Sequence, residues 1–246
     1  MHSTVLEVFL FATVTALATG LGALPFFFTR QFSRHYLGLA NAVAAGLMIA
    51  ASFGLVYEAT PLGLWPTVAG ILLGLVFIIL SQRVLERYEE VSIGSLTGFN
   101  AQKALLLIGV MTAHSFAEGV GVGVSFGGGE AFGLLITIAI AIHNIPEGLA
   151  ISLVLVPKGV SPWKAAGWSV FSSLPQPLMA VPAFLFVEAF RPFLPVGLGF
   201  AAGAMIWLAV SEILPEAFED ADHKAVATAF TLSIAGMVAL QVLLAG

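Results

Sequence analysis

Residues 131–155 read AFGLLITIAIAIHNIPEGLAISLVL, twenty-five positions with a single formal charge, at Glu147. A hydrocarbon layer about 30 Å thick is crossed by about 20 apolar residues in helical form. The segment is therefore read as a membrane-spanning helix, with His143 and Glu147 near its middle. An ionisable group at that depth costs about 3 kcal/mol or more unless it is paired or hydrated, so it marks a site by default.

Similar apolar runs lie at about 5–27, 37–59, 66–84, 102–124, 165–187, 197–217 and 226–245, each near the length that a bilayer requires. The composition agrees. Of 246 residues, 59% are hydrophobic and only 9% are Asp, Glu, Lys or Arg, whereas soluble domains carry roughly 25% charged residues. The expected fold is an all-α polytopic membrane protein, one domain over 1–246 with eight transmembrane helices. There is no basic field for nucleic acid. The absence of Cys excludes disulfides, thiolate metal sites and cysteine catalysis. The first run carries Glu7 in place of a basic leader and is read as a span, not a cleaved signal.

The nine basic residues orient the spans. Arg30 and Arg34 follow span one, Arg83, Arg87 and Lys103 flank the third connection, Lys158 and Lys164 flank the fifth, and Lys224 lies in the seventh; only Arg191 falls on the other side. Basic residues concentrate in cytoplasmic loops, so both termini are expected outside the cytoplasm of a cell (inner) membrane. The longest connection, LERYEEVSIGSLTGFN at about 85–100, is expected to be a mobile cytoplasmic loop. AAGLMIAAS at 44–52 and AAGAMIWLA at 201–209 are alike and run in opposite directions under this topology. They suggest an inverted repeat of spans 1–3 and 6–8 around spans 4–5.

Spans four and five carry the chemistry. Span four contains HSFAEG (114–119) and span five HNIPEG (143–148). Each places His and Glu four residues apart, on one helical face and one turn from each other. Two imidazoles and two carboxylates match a tetrahedral N/O site for a divalent metal, whose charge two ionised Glu would neutralise. The competing structural reading is a pair of His–Glu hydrogen bonds that join helices. A zinc peptidase is disfavoured, since H-E-x-x-H is absent and His2, His35 and His223 lie near span ends or in loops.

Around this core, Pro146 removes a donor and frees the carbonyl of Ile142. Gly119, Gly121, Gly123 and Gly148 should let the His/Glu faces approach. Two prolines in SSLPQP (172–177) predict a broken span six, with Gln176 offering its side-chain oxygen to the cavity. Glu58, Glu212 and Glu216 are read either as vestibule carboxylates or as solvated helix ends. Glu219, Asp220, Asp222 and His223 are read as a solvated acidic turn.

With these motifs, the chain resembles the ZIP (Zrt/Irt-like) metal transporters, short bacterial-type members above all. The resemblance covers essentially the whole chain. It rests on the eight spans, HSFAEG, HNIPEG, the proline-flanked segment of span six and SEILPE (211–216). It implies uptake of divalent transition metals, chiefly zinc, into the cytoplasm by elevator-like alternating access, with spans one, four, five and six moving against the rest. It implies His114, Glu118, His143 and Glu147 as principal ligands. Some relatives have a second, adjacent metal position, where this chain carries the neutral residues Ser115, Asn144 and Gln176. Two divalent ions against two carboxylates would leave a costly dehydrated excess of charge, so a single tightly held ion is expected.

Cadmium, iron, manganese and cobalt fit the donor set as well. The metal is substrate and no prosthetic group is expected, nor is enzymatic activity. Metal ions and lipids are the expected partners. The small-residue faces permit a homodimer, and no soluble partner is implied. A non-transporting sensor or scaffold and a channel remain as alternatives at this stage.

Overall fold

The computed structural model describes residues 4–28, 33–87, 92–93, 96–127 and 129–245. His2, Arg30, and positions 88–91 and 94–95 of the third connection lie outside the described residues. The long helices are α1 (Val5–Gly20), α2 (Arg34–Ala59), α3 (Leu64–Glu86), α4 (Gly98–Gly127) and α5 (Glu130–Leu155). They are followed by α6 (Pro162–Ser173), α7 (Pro175–Leu185), α8 (Leu194–Leu208), α9 (Leu214–Asp220) and α10 (His223–Ala245). A turn and a further short helix, Pro25–Phe28, extend α1.

Polar residues set the helix starts. Thr4 and Glu7 form a capping box, with the Thr4 N–H donating to Glu7 Oε2 at 2.7 Å. Ser33 and Ser161 accept from the first turns of α2 and α6, and Asp222 accepts from Lys224 and Ala225 at the start of α10. Each side-chain oxygen satisfies backbone donors that have no partner within the helix.

Among the described residues, seven segments are long and apolar enough to cross a membrane: Val5–Phe28, Arg34–Leu62, Leu64–Val84, Ala101–Gly127, Gly133–Lys158, Val187–Asp220 and His223–Leu243. The protein is thus an all-α polytopic membrane protein. The α6–α7 pair is not one of the seven. Its chain turns at Leu174, between Ser173 and Pro175, where a proline ring prevents the helix from continuing undisturbed.

α3 runs to Glu86 and α4 starts at Gly98, and strands β1 (Ser92–Ile93) and β2 (Leu96–Thr97) pair between them, Ile93 opposite Leu96. Leu96 is buried in the main core cluster. This short hairpin is anchored by an apolar residue, which the charged and small composition of 85–100 did not signal.

Packing falls into two groups. α8 lies along α3 and α2, and α10 along α2; α4 lies along α7 and α5, and α1 along α5, α7 and α6. The α3–α8 contact is made of small residues, with Gly70 and Gly74 against the backbone of Val196 and Phe200. Such close approach is how helices gain packing contacts in lipid. The largest core cluster joins both groups at one end of the bundle, through Met48, Leu107, Met111, Ile151, Met205 and Leu208.

Candidate metal site

α4 and α5 pack side by side and bring HSFAEG and HNIPEG together. His114, Glu118, His143 and Glu147 are 0, 2, 7 and 1% exposed. One ligand-type atom from each lies within 4.8 Å of all the others. His114 Nε2 is 2.9 Å from Glu147 Oε1 and 3.3 Å from Glu118 Oε1, and His143 Nε2 is 3.2 Å from Glu147 Oε1. The imidazole rings stack with centroids 5.7 Å apart.

These approaches are close but misdirected. Among the described residues, His114 Nε2, His143 Nε2 and both Glu147 oxygens have no hydrogen-bond partner. A buried polar atom left unpaired is costly, so atoms converging this closely are better satisfied by a shared partner than by His–Glu contacts alone. Donor atoms that converge without pointing at one another suit a shared cation. Four-coordinate zinc with bonds of about 2.0–2.1 Å needs donors about 3.3 Å apart, and three of the pairs already lie close to that spacing.

A polar network borders the cluster. Gln176, at the start of α7, donates its side-chain nitrogen to Glu118 Oε2. Its oxygen accepts from the Thr15 hydroxyl of α1 and, at 3.1 Å, from the Asn144 side-chain nitrogen. Asn144 donates also to the Thr15 carbonyl at 2.7 Å, which fixes its amide orientation and hence that of Gln176. The Gln176 oxygen is thus engaged by Thr15 and Asn144, and its nitrogen is directed at Glu118. Ser115 Oγ and Asn144 Oδ1 are buried without a partner among the described residues.

Thr15 escaped the sequence reading. In the sequence it is one of three threonines, with Thr13 and Thr19, in an apolar span. Thr19, one turn on, shares a 2.7 Å hydrogen bond with Ser173 of α6.

Three of the four glycines do admit a close helix, but a flanking one. A Cβ on Gly148 would overlap the Thr19 carbonyl oxygen of α1, and one on Gly119 would overlap the Gln176 backbone of α7. Gly123 likewise faces Ala180 of α7, and Gly121 has open space. In both H-x-x-x-E-G motifs, then, the glycine after the glutamate admits a flanking helix. That contact seats the Thr15–Gln176–Asn144 network beside the carboxylates.

A cavity of about 740 Å³ reaches the cluster from one side. Glu118 and His143 line its inner end, and Tyr57, Glu58, Gln241 and Val242 line its other parts. Glu58 is thus a cavity residue. Glu212 and Glu216 are not free helix ends: Lys103 pairs with both, at 3.4 and 2.8 Å. In the acidic turn, Asp222 caps α10, Asp220 lies 3.8 Å from Arg34, and the His223 ring packs edge-on against Phe218.

Fold and site together define a membrane protein with a buried His/Glu metal-binding site between its fourth and fifth spans. Residues 79–244 match the family of ZIP zinc transporters. The chain is 33% identical over 217 residues to the zinc transporter GufA of Myxococcus xanthus, covering 81% of this chain and 84% of that protein. It is 30% identical over 248 residues to the zinc transporter ZupT of Corynebacterium glutamicum, covering 92% and 93%. A relative from Arabidopsis thaliana is 54% identical over 238 residues, covering 95% of this chain, which spans 38% of the plant protein. The chain belongs to the ZIP family, whose members are transporters and not enzymes.

Proposed function

We propose that this protein carries a divalent transition metal, zinc first, across the membrane into the cytoplasm by alternating access. The observation that carries the reading is the convergence of four buried His and Glu side chains at the inner end of a cavity. The zinc transporters GufA and ZupT, similar over most of their length, support zinc as the first substrate. Cadmium, iron, manganese and cobalt suit the same donors.

His114, Glu118, His143 and Glu147 hold the ion in this reading. Two neutral imidazoles and two carboxylates balance one divalent charge. Gln176 directs a donor N–H at Glu118, which disfavours a second cation there, so one ion is held tightly. Asn144 Oδ1 and Ser115 Oγ, buried and unpaired, are available to an ion that has shed part of its water.

The topology proposed has eight spans, the α6–α7 pair being the sixth, with both termini outside the cytoplasm and 85–100 on the cytoplasmic side. The cavity lined by Glu58 then faces outward. The packed cluster around Met111 and Leu208 closes the cytoplasmic side. An inverted repeat of spans 1–3 and 6–8 is supported by the likeness of 44–52 and 201–209, in helices that pack together. The exposed apolar faces of α3 and α10 suit lipid or a second copy in a homodimer.

The test is zinc uptake into proteoliposomes, for wild type, Glu147→Ala and His143→Ala. Saturable wild-type uptake that both substitutions abolish is expected. Zinc binding without any flux would leave a sensor, and non-saturable flux would indicate a channel.

A further inference from the structure

Lys103 is a buried cation outside the metal site. It stands in the first turns of α4 and is 9% exposed. Its ammonium lies 2.8 Å from Glu216 Oε1, 3.4 Å from Glu212 Oε2 and 3.2 Å from the Glu212 carbonyl oxygen. Three oxygens thus surround one ammonium, which has three N–H groups to donate.

The acceptors are placed by an irregular backbone. Between α8 and α9 the chain forms a π-helical turn, Ala209–Ile213, followed by Pro215. Such turns interrupt the regular ladder, and they recur at functional positions. The Glu212 carbonyl accepts from Lys103 here. Lys158, just past α5, interacts electrostatically with the same Glu216.

The charges divide between the two packing groups. Lys103 and Lys158 belong to the α1, α4–α7 group, whereas Glu212 and Glu216 continue α8 in the other. Eleven residues of helix separate Lys103 from His114, about 16 Å along the axis. The pair therefore sits at the end of the bundle away from the Glu58 cavity, among Ala101, Ala104 and Ile213 of the core cluster that includes Met111 and Leu208.

We propose that Lys103 with Glu212 and Glu216 is a latch that holds the Lys103 end of the pathway shut while the Glu58 cavity is open, and that it must part for the ion to leave. A partly buried ion pair suits this role because it favours one register of two sliding surfaces; removing one partner leaves the other charges uncompensated. The proposal rests on the alternating-access reading above, and accessibility rather than transport separates the two.

The chain has no Cys, so one introduced thiol is a clean reporter. Ala209→Cys reports on the buried Lys103 end, and Ala51→Cys on the Glu58 cavity. Each is labelled with a membrane-impermeant maleimide in oriented proteoliposomes, in wild-type, Lys103→Met and Lys103→Arg backgrounds, with and without zinc. Lys103→Met should speed labelling at Ala209→Cys about tenfold and slow it at Ala51→Cys, a shift of population between two states. Lys103→Arg should stay near wild type. Unchanged rates in Lys103→Met, while zinc still alters wild-type labelling, would overturn the latch alone. Faster labelling at both reporters would assign Lys103 to general packing and overturn it too. An Ala209→Cys thiol that is never labelled in any background would overturn alternating access itself.

Discussion

The side-chain nitrogen of Gln176 donates to the carboxylate of Glu118, and this one hydrogen bond ties α7 to the metal cluster on α4. With its oxygen engaged by Thr15 and Asn144, the amide is held from both ends. In the proposed single-ion site, Gln176 acts through Glu118, by orienting one carboxylate and by presenting a donor where a further cation would need an acceptor.

Gln176→Glu should reverse that effect. It sets a third carboxylate against Glu118, and like charges at hydrogen-bond distance raise the affinity for protons or cations. The expected result is a second zinc in calorimetric titration, with wild type binding one. A variant that still binds one, or a wild type that binds two equally tight ions, would refute the single-ion assignment.

Glu147 is the carboxylate nearest both imidazoles, with Oε1 2.9 Å from His114 and 3.2 Å from His143. Glu147→Gln keeps the shape and removes the charge. Zinc affinity should fall about 100-fold or more, since it costs a direct ligand where even outer-shell changes cost 10–100-fold. Competition with a chelating dye measures it, and a loss below threefold would exclude Glu147 as a ligand.

The all-α membrane class, the two H-x-x-x-E-G motifs and the break between Ser173 and Pro175 were legible, because composition, four-residue spacing and paired prolines are local signals; of the eight expected spans, seven have helices long and apolar enough to cross among the described residues. The partners of these residues were not. Thr15 and Gln176 are 161 positions apart, and Lys103 and Glu212 are 109 apart; no local pattern joins them. The π-helical turn at Ala209–Ile213 had only Pro215 as a hint. The role of Gly148 was half legible: its smallness announced a close contact, but the α1 backbone that fills it came from the fold.

Zinc binding should weaken on acidification. The imidazoles bind metal only when neutral and the carboxylates only when ionised, so protons compete with the ion and binding releases protons. Titrations in two buffers of different ionisation enthalpy should give apparent enthalpies that differ in proportion to the protons released. Equal enthalpies, with affinity independent of pH between about 7.5 and 5.5 (about one unit either side of an ordinary histidine), would contradict the His/Glu ligand set.

Gly148 and Gly121 make a matched pair for the packing argument. A methyl at Gly148 overlaps the Thr19 carbonyl oxygen, whereas one at Gly121 meets nothing within 4 Å. Backbone cannot rotate out of the way as a side chain can, so Gly148→Ala must push α1 off α5. Overpacking of this kind costs about 1–3 kcal/mol. Because α1 carries Thr15, the shift also loosens the Gln176 network, and zinc affinity should fall along with the melting temperature. Gly121→Ala should leave affinity unchanged and melt no lower than wild type, since Ala favours helix over Gly by about 0.5–1 kcal/mol. Thermal melts in detergent, with and without zinc, distinguish the two. Equal behaviour would mean that the α1–α5 contact does not support the site.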